Sequence, residues 1–181
     1  GCLGPRQGYL ERLRKICDTH GILLVFDEVI TGFGRTGAPF AAQSFGVTPD
    51  IITMAKALTN ATQPMGAVAA SQRIHDTVMG AAQDGAIEFF HGYTYSGHPA
   101  ACAAGLATLD IYRDEGLFEQ GSALAPYFQQ AIFSLRGAPY ISDIRGYGML
   151  AAFDVESDGV PGRRGYRLRK VLFDNGLHPT T

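Results

Sequence analysis

The sequence predicts an α/β fold with a mostly parallel sheet, followed by a smaller α+β region. Three features lead to this prediction: unbroken apolar strands, helical segments between them, and a change of pattern after Pro139. The main strand, 22–26, is a continuous run of Ile, Leu, Val and Phe, which is typical of a parallel strand covered on both faces. We therefore expect it to be buried and to end at the acids Asp27 and Glu28, since open α/β sheets bind ligands at the carboxyl ends of strands.

The remaining elements follow from the spacing of apolar residues. Helical spacing predicts helices over residues 5–19, 40–45, 71–80, 100–112, 117–135 and 166–175. Short apolar runs predict strands at 51–54, 66–70, 140–144 and 149–155, the last two forming an antiparallel pair joined through residues 146–148. The helix over 100–112 is apolar on nearly every face and rich in small residues, so we expect it to be deeply buried.

The composition narrows the class of protein. The 181 residues are 46% hydrophobic and 18% charged with a formal net charge of −2, which is typical of a globular protein without the basic surface that nucleic acids require. No apolar run is long enough to span a membrane, and no secretory signal is visible, so a cytoplasmic location is expected. The three cysteines, Cys2, Cys17 and Cys102, are widely spaced, which predicts structural thiols and no zinc site.

The best candidate for chemistry is the pair Asp27 and Lys56. Lys56 follows the predicted strand 51–54, and the carboxyl ends of neighbouring parallel strands lie at one edge of a sheet. Taken alone, each has an ordinary interpretation: a solvated lysine, or a carboxylate paired with a loop amide or with Arg35. Together they suit pyridoxal phosphate, which needs an amine to hold its aldehyde and an anion to keep its ring nitrogen protonated. Spacing alone does not establish this interpretation.

Other patterns are weaker. The spacing of Gly32, Gly34 and Gly37 matches a dinucleotide-binding fingerprint, but it follows the two acids and precedes no clear helix start. The loop over 85–97 is dense in aromatic and hydrogen-bonding side chains, so it is either packed or a binding segment. Its Thr94 could hold a phosphate oxygen or could simply cap a turn. The basic cluster over 163–170 is interpreted as a solvated helix face.

Four sequence motifs follow one another along the chain. These are LVFDEVITGFGRTG over 24–37, PDIITMAKALTN over 49–60, PMGAV over 64–68 and HGYTYSGHP over 91–99. They resemble successive blocks of the class III aminotransferases, and the resemblance covers essentially the whole chain. Residues 58–60, 63–65 and 143–149 (DIRGYGM) are similar to the ω-amino acid:pyruvate (β-alanine:pyruvate) branch of that family.

The resemblance implies the cofactor and the roles of individual residues. It implies a fold-type I enzyme that transfers an amino group from an amine donor, such as β-alanine, to the keto acid pyruvate by means of pyridoxal 5′-phosphate. Lys56 would be the Schiff-base lysine and proton shuttle, and Asp27 the partner of the pyridinium nitrogen. Val29 would pack against one face of the ring. Thr94, with Tyr93 beside it, would reach the phosphate of the neighbouring subunit's cofactor, which implies a homodimer with shared sites.

The resemblance also implies domain boundaries. Residues 1–98 would belong to the cofactor-binding large domain, 99–137 would be connecting helices, and 138–181 would begin the small C-terminal domain. The first methionine is Met54, and the family's upstream phosphate-binding turn and downstream carboxylate-binding arginine are not in this sequence. We therefore expect an internal fragment with little or no transaminase activity of its own.

The sequence departs from the family pattern at one position, and two alternative functions stand beside the aminotransferase hypothesis. The family's usual glycine after Leu-Thr-Asn is Ala61 here, which would perturb the turn if a positive φ is needed. A different class III reaction, by an aminomutase or a decarboxylase, would use the same Asp27 and Lys56. A non-catalytic interaction module that keeps the fold is the third hypothesis.

Overall fold

A computed structural model describes residues 2–82, 86 and 89–180. Its helices and strands are α1 Tyr9–His20, β1 Val25–Asp27, α2 Ala41–Ser44, β2 Ile51–Met54, β3 Ala67–Ala70, α3 Gln72–Gly80, α4 Pro99–Asp114, α5 Leu117–Phe133, β4 Ile141–Tyr147, β5 Leu150–Val155 and α6 Arg163–Asp174. The chain divides into two compact units, Pro5–Leu124 and Ala125–Thr181 with Gly1–Gly4. Part of the predicted aromatic loop, residues 85, 87 and 88, lies outside the described residues. No helix of the described part is long and apolar enough to cross a membrane.

The first unit is built on a three-stranded sheet with the order β1-β2-β3. β1 and β2 are parallel, as predicted, and Asp27 is in register with Thr53. β3 is antiparallel to β2. The backbone N–H of Glu28 donates to the carbonyl of Thr53 at 2.9 Å, which continues the β1–β2 pairing one residue beyond the strand.

The prediction that the strand over 22–26 is buried on both faces is wrong. Leu24 is buried with Cys17 of α1 and Val47, but the next side chain, Val25, is 50% exposed. The burial therefore alternates, because only the face toward α1 is covered. The opposite face, which carries Val25 and Val68, stays exposed in the described part of the chain.

The prediction that the helix over 100–112 is deeply buried is also wrong. In α4 only Ala101 and Gly105 are buried, whereas Leu106, Leu109 and Ile111 are exposed. The covered face is the one that meets the segment after β2, where a Cβ on Gly105 would lie 3.4 Å from the sulfur of Met65. The small residues thus allow one close approach, and the composition alone does not show on how many faces a helix is covered.

The second unit contains the predicted antiparallel pair, with a tighter connection than expected. Gly146 and Tyr147 belong to β4, and the turn is only Gly148-Met149. The side-chain amide of Gln129 in α5 explains this, because it donates to the carbonyls of Gly148 at 2.7 Å and Leu150 at 3.0 Å. A Cβ on residue 146 would overlap the Gln129 amide, so a larger residue there would displace this side chain from its two hydrogen bonds.

Candidate active site

The carboxyl ends of β1 and β2 bring the two main candidate residues to one edge of the sheet. Asp27 is the last residue of β1, and Lys56 lies two residues beyond the end of β2. Because the strands are parallel and adjacent, both residues leave the sheet on the same side. The expectation that Asp27 and Lys56 share an edge is therefore confirmed.

The Asp27 side chain is exposed and held by a local turn. Its Oδ1 accepts a hydrogen bond from the backbone N–H of Val29 at 3.0 Å, a turn in which an aspartate bonds the residue two places on. Oδ2 accepts no hydrogen bond from any described residue, so one carboxylate oxygen is left for a ligand. Val29 itself is half-buried.

The neighbouring acid, Glu28, is buried and has a structural task. Its Oε2 accepts from the N–H of Ala41 at 2.7 Å and its Oε1 from that of Ala42 at 2.8 Å, at the start of α2. The hydroxyl of Thr31 also donates to it at 2.9 Å. Sequence reasoning missed this role, although a signal exists: α2 begins after Phe40, a residue that cannot cap a helix with its own side chain.

Lys56 begins a tight turn with an unusual backbone. Residues Lys56–Leu58 form a single 3₁₀ turn, and Lys56 has a φ of 47°, in the left-handed region. Its carbonyl accepts hydrogen bonds from the N–H groups of Thr59 at 3.3 Å and Ala61 at 3.1 Å. The Lys56 side chain is exposed, so its amine is accessible to a ligand.

The same segment depends on Thr59, which sequence reasoning also missed. This side chain is 1% exposed, and its hydroxyl donates to the carbonyl of Gln63 at 2.6 Å. Between these two residues, Asn60 has a φ of 50° and Ala61 a φ of 59°. The positive φ that would make Ala61 unfavourable is therefore present, and the turn carries backbone strain that a glycine would not.

A cavity of about 300 Å³ adjoins this turn. Its lining residues are Lys56, Thr59, Ala61, Gln63, Pro64 and Met65. The Lys56 amine is the charged group among them. The site therefore combines an accessible amine, a concave surface beside it, and a carboxylate at the same sheet edge.

The glycines after Asp27 serve the fold of their own loop. The loop bonds to itself, with the N–H of Phe33 donating to the Pro39 carbonyl at 2.6 Å. A Cβ on Gly32 would lie 2.8 Å from the carbonyl oxygen of Glu28, and Gly34 has a φ of 96°. These observations account for Gly32 and Gly34 without a phosphate.

Tyr93 and Thr94 lie in an exposed turn near the start of α4. The Tyr93 N–H donates to the Ser96 hydroxyl at 2.9 Å, and the Ser96 N–H donates back to the Tyr93 carbonyl at 2.9 Å. The Tyr93 side chain is exposed, as is that of Thr94. Among the described residues, neither is hydrogen-bonded to Asp27 or Lys56.

Electrostatic support lies at the opposite end of β2. Asp50 accepts from the N–H of Leu24 at 2.8 Å and from the guanidinium groups of Arg14 at 2.8 Å and Arg73 at 3.0 Å. The Leu24 hydrogen bond, followed by that of Arg14, lowers the pKa of Asp50 to about 2. This carboxylate joins α1, the residue before β1, and α3. Within the described residues, no group of three or more His, Cys, Asp or Glu side chains could hold a metal ion.

The chain is similar in sequence and in structure to known proteins. The family model described as aminotransferase class-III matches residues 1–177. An omega-aminotransferase of Caulobacter vibrioides is 57% identical over 98% of this chain, and a beta-alanine–pyruvate aminotransferase of Pseudomonas aeruginosa is 50% identical over 98%. The crystal structure of an omega transaminase from Pseudomonas jessenii in complex with PMP is 30% identical, with a TM-score of 0.83 over 97% of this chain. The chain spans 40% of the length of each of these three proteins.

Proposed function

The chain belongs to the class III aminotransferase family, and on this premise we propose that its full-length protein is an ω-amino acid:pyruvate aminotransferase. It would transfer the amino group of an ω-amino acid or amine, such as β-alanine, to pyruvate, with pyridoxal 5′-phosphate as cofactor. The observation that supports this most is the placement of Asp27 and Lys56 at one edge of the β1–β2 pair.

The residues present fit the cofactor. Asp27 offers a carboxylate oxygen that accepts no hydrogen bond from the described residues, and Lys56 offers an exposed amine beside a cavity. Pyridoxal phosphate, when bound, supplies an electron sink for the carbon that carries the amino group. The Pseudomonas jessenii omega transaminase was crystallised in complex with PMP, a related form of the cofactor, which supports the same assignment.

Each candidate site residue then has a role in the reaction. Asp27 holds the proton on the ring nitrogen. The Nζ of Lys56 would hold the cofactor and would also be the base that moves a proton from the substrate carbon. Val29, beside Asp27, excludes water from one face of the ring. Tyr93 and Thr94, in their exposed turn, bind the phosphate at the neighbouring subunit's site, so the protein acts as a homodimer.

The domain assignment follows the same proposal. Residues 1–98 form part of the cofactor-binding domain, 99–137 connect, and 138–181 begin a smaller domain. The protein works in the cytoplasm. The 181 residues alone have little transaminase activity, because they span 40% of the relatives' length.

The experiment combines cofactor capture with product analysis in the full-length protein. After incubation with pyridoxal phosphate and reduction with borohydride, we expect peptide mass mapping to find the cofactor on Lys56, and none after Lys56→Arg. Lys170→Arg, an exposed change on α6, is the matched control. β-Alanine turnover should require pyruvate. Failure to capture the cofactor on Lys56 would contradict the proposal, and turnover without pyruvate would indicate an aminomutase or a decarboxylase.

A further inference from the structure

The Lys56 turn adopts a conformation that its own sequence disfavours. Lys56, Asn60 and Ala61 all have positive φ, which is costly for Lys56 and Ala61 and better tolerated by asparagine. Such a conformation persists only when the surrounding structure holds it in place. Inside the turn, the hydrogen bond from Thr59 to the Lys56 carbonyl is long at 3.3 Å, and the one from Ala61 is of ordinary length at 3.1 Å.

One hydrogen bond from a distant element supports the turn. The hydroxyl of Tyr112, in α4, donates to the carbonyl of Ala57 at 2.7 Å. Ala57 directly follows Lys56, whereas Tyr112 lies 55 residues further along the chain. The contact fixes the Ala57–Leu58 peptide, one residue beyond the lysine.

The Tyr112 ring packs against two other aromatic rings. Its centroid lies 5.8 Å from that of Phe33, in a stacked arrangement, and 5.2 Å from that of Phe118. Partial burial raises the pKa of the Tyr112 hydroxyl, against a smaller opposite effect of Arg35. The group therefore remains a protonated donor throughout the neutral range.

Helix α4 approaches the turn closely two turns before Tyr112. Gly105 is buried, and a Cβ there would lie 3.4 Å from the sulfur of Met65 and 3.8 Å from the Leu58 carbonyl. The spacing of 105 and 112 places both residues on one face of α4. One helix face thus contacts the turn at two points.

We propose that Tyr112 is a positioning residue for the Schiff-base lysine, acting through its hydrogen bond to the Ala57 carbonyl. The inference rests on the proposed function, because it assumes that Lys56 carries the cofactor. Tyr112 acts through the backbone of the turn and sets the direction in which the Lys56 amine is presented. Without the hydroxyl, the turn keeps its packing but loses the contact that fixes the Ala57–Leu58 peptide.

The test compares Tyr112→Phe with the wild type in the full-length protein loaded with pyridoxal phosphate. Phenylalanine keeps the ring contacts with Phe33 and Phe118 and removes only the donor. We expect kcat to fall about threefold to tenfold, the rate equivalent of one hydrogen bond, with KM for amine and keto acid nearly unchanged. We also expect a shifted pH dependence of the visible absorbance of the lysine-bound cofactor, which a change in overall stability would not produce.

Tyr127→Phe, an exposed change on α5, is the control and should leave both the rate and the absorbance unaltered. If thermal unfolding shows that Tyr112→Phe does not fold, Phe118→Leu takes its place. That variant loosens the Tyr112 ring while the hydroxyl remains, and the same changes should appear at smaller size. A wild-type absorbance profile and kcat in the folded variant would overturn the inference, whereas absence of cofactor on Lys56 in the wild type would overturn the proposed function.

Discussion

Asp27 and Glu28 are adjacent carboxylates with opposite surroundings: the Glu28 side chain is 1% exposed and bonded to the start of α2, whereas that of Asp27 is exposed. Successive side chains of an extended segment point to opposite sides, so two consecutive acids at a strand end cannot share one environment. Glu28 therefore stabilises the loop that follows, and Asp27 remains available at the sheet edge.

Glu28→Gln should destabilise the protein by about 2 kcal/mol, because the amide nitrogen cannot accept a hydrogen bond from Ala41 or Ala42. The free energy of unfolding falls because one of these buried backbone N–H groups would then face the N–H₂ donor of the glutamine. Urea unfolding of the full-length protein measures it. Glu11→Gln, an exposed change in α1, is the control and should stay within about 0.5 kcal/mol of wild type. Equal stability of the two variants would contradict this role of Glu28.

Ala61→Gly should stabilise the protein by about 0.5 kcal/mol. Relief of the left-handed φ of 59° favours glycine, and the greater freedom of glycine in the unfolded chain partly offsets the gain. Ala103→Gly is the control, since Ala103 is an exposed residue inside helix α4 and the change should destabilise by about 1 kcal/mol. Thermal unfolding should therefore give shifts of opposite sign, and a destabilised Ala61→Gly would show that the strain at this position is negligible.

The Asp50 contacts predict a pH dependence of stability. The pKa of Asp50 is about 2 in the folded chain, lowered mainly by the Leu24 N–H and then by Arg14, against an ordinary value of about 3.9 in an unfolded chain. A lowered folded-state pKa gives stabilisation that is complete above the unfolded value and is lost as the pH falls through the folded value. The difference in unfolding free energy between wild type and Asp50→Asn should therefore be constant from pH 7 to about pH 5. It should shrink between about pH 4 and pH 2, and a difference that is independent of pH would contradict the assignment.

Local sequence patterns predicted which residues lie at the carboxyl edge of the sheet, but they did not predict what covers each helix and strand. Asp27 and Lys56 could be placed together from the sequence, because unbroken apolar runs indicate parallel strands and parallel strands share their carboxyl edge. The exposed face of α4 could not be predicted. Apolar residues such as Leu106 and Leu109 show that a helix face is able to pack, but they do not show whether the described part of the chain provides a surface to cover it. Non-local contacts were equally invisible. Nothing near Gly146 in sequence indicates that Gln129 occupies the space of its missing side chain.

The Asp27 turn permits a test that separates chemistry from folding. In Asp27→Asn the remaining amide oxygen can still accept the hydrogen bond from the Val29 N–H, so the turn and the stability should be preserved. The neutral amide, however, cannot hold a proton on the ring nitrogen of the cofactor. Each unit of change in the pKa of that nitrogen corresponds to about 1.4 kcal/mol, so we expect kcat to fall about 100-fold or more.

Capture of the cofactor on Lys56 should survive the same change, because Asp27 takes no part in the covalent attachment. Asp174→Asn, an exposed change on α6, is the matched control and should leave kcat as in wild type. If Asp27→Asn folds, captures the cofactor and turns over at the wild-type rate, then Asp27 does not act on the ring nitrogen. The placement of Asp27 beside Lys56 would then be a consequence of the parallel strands alone.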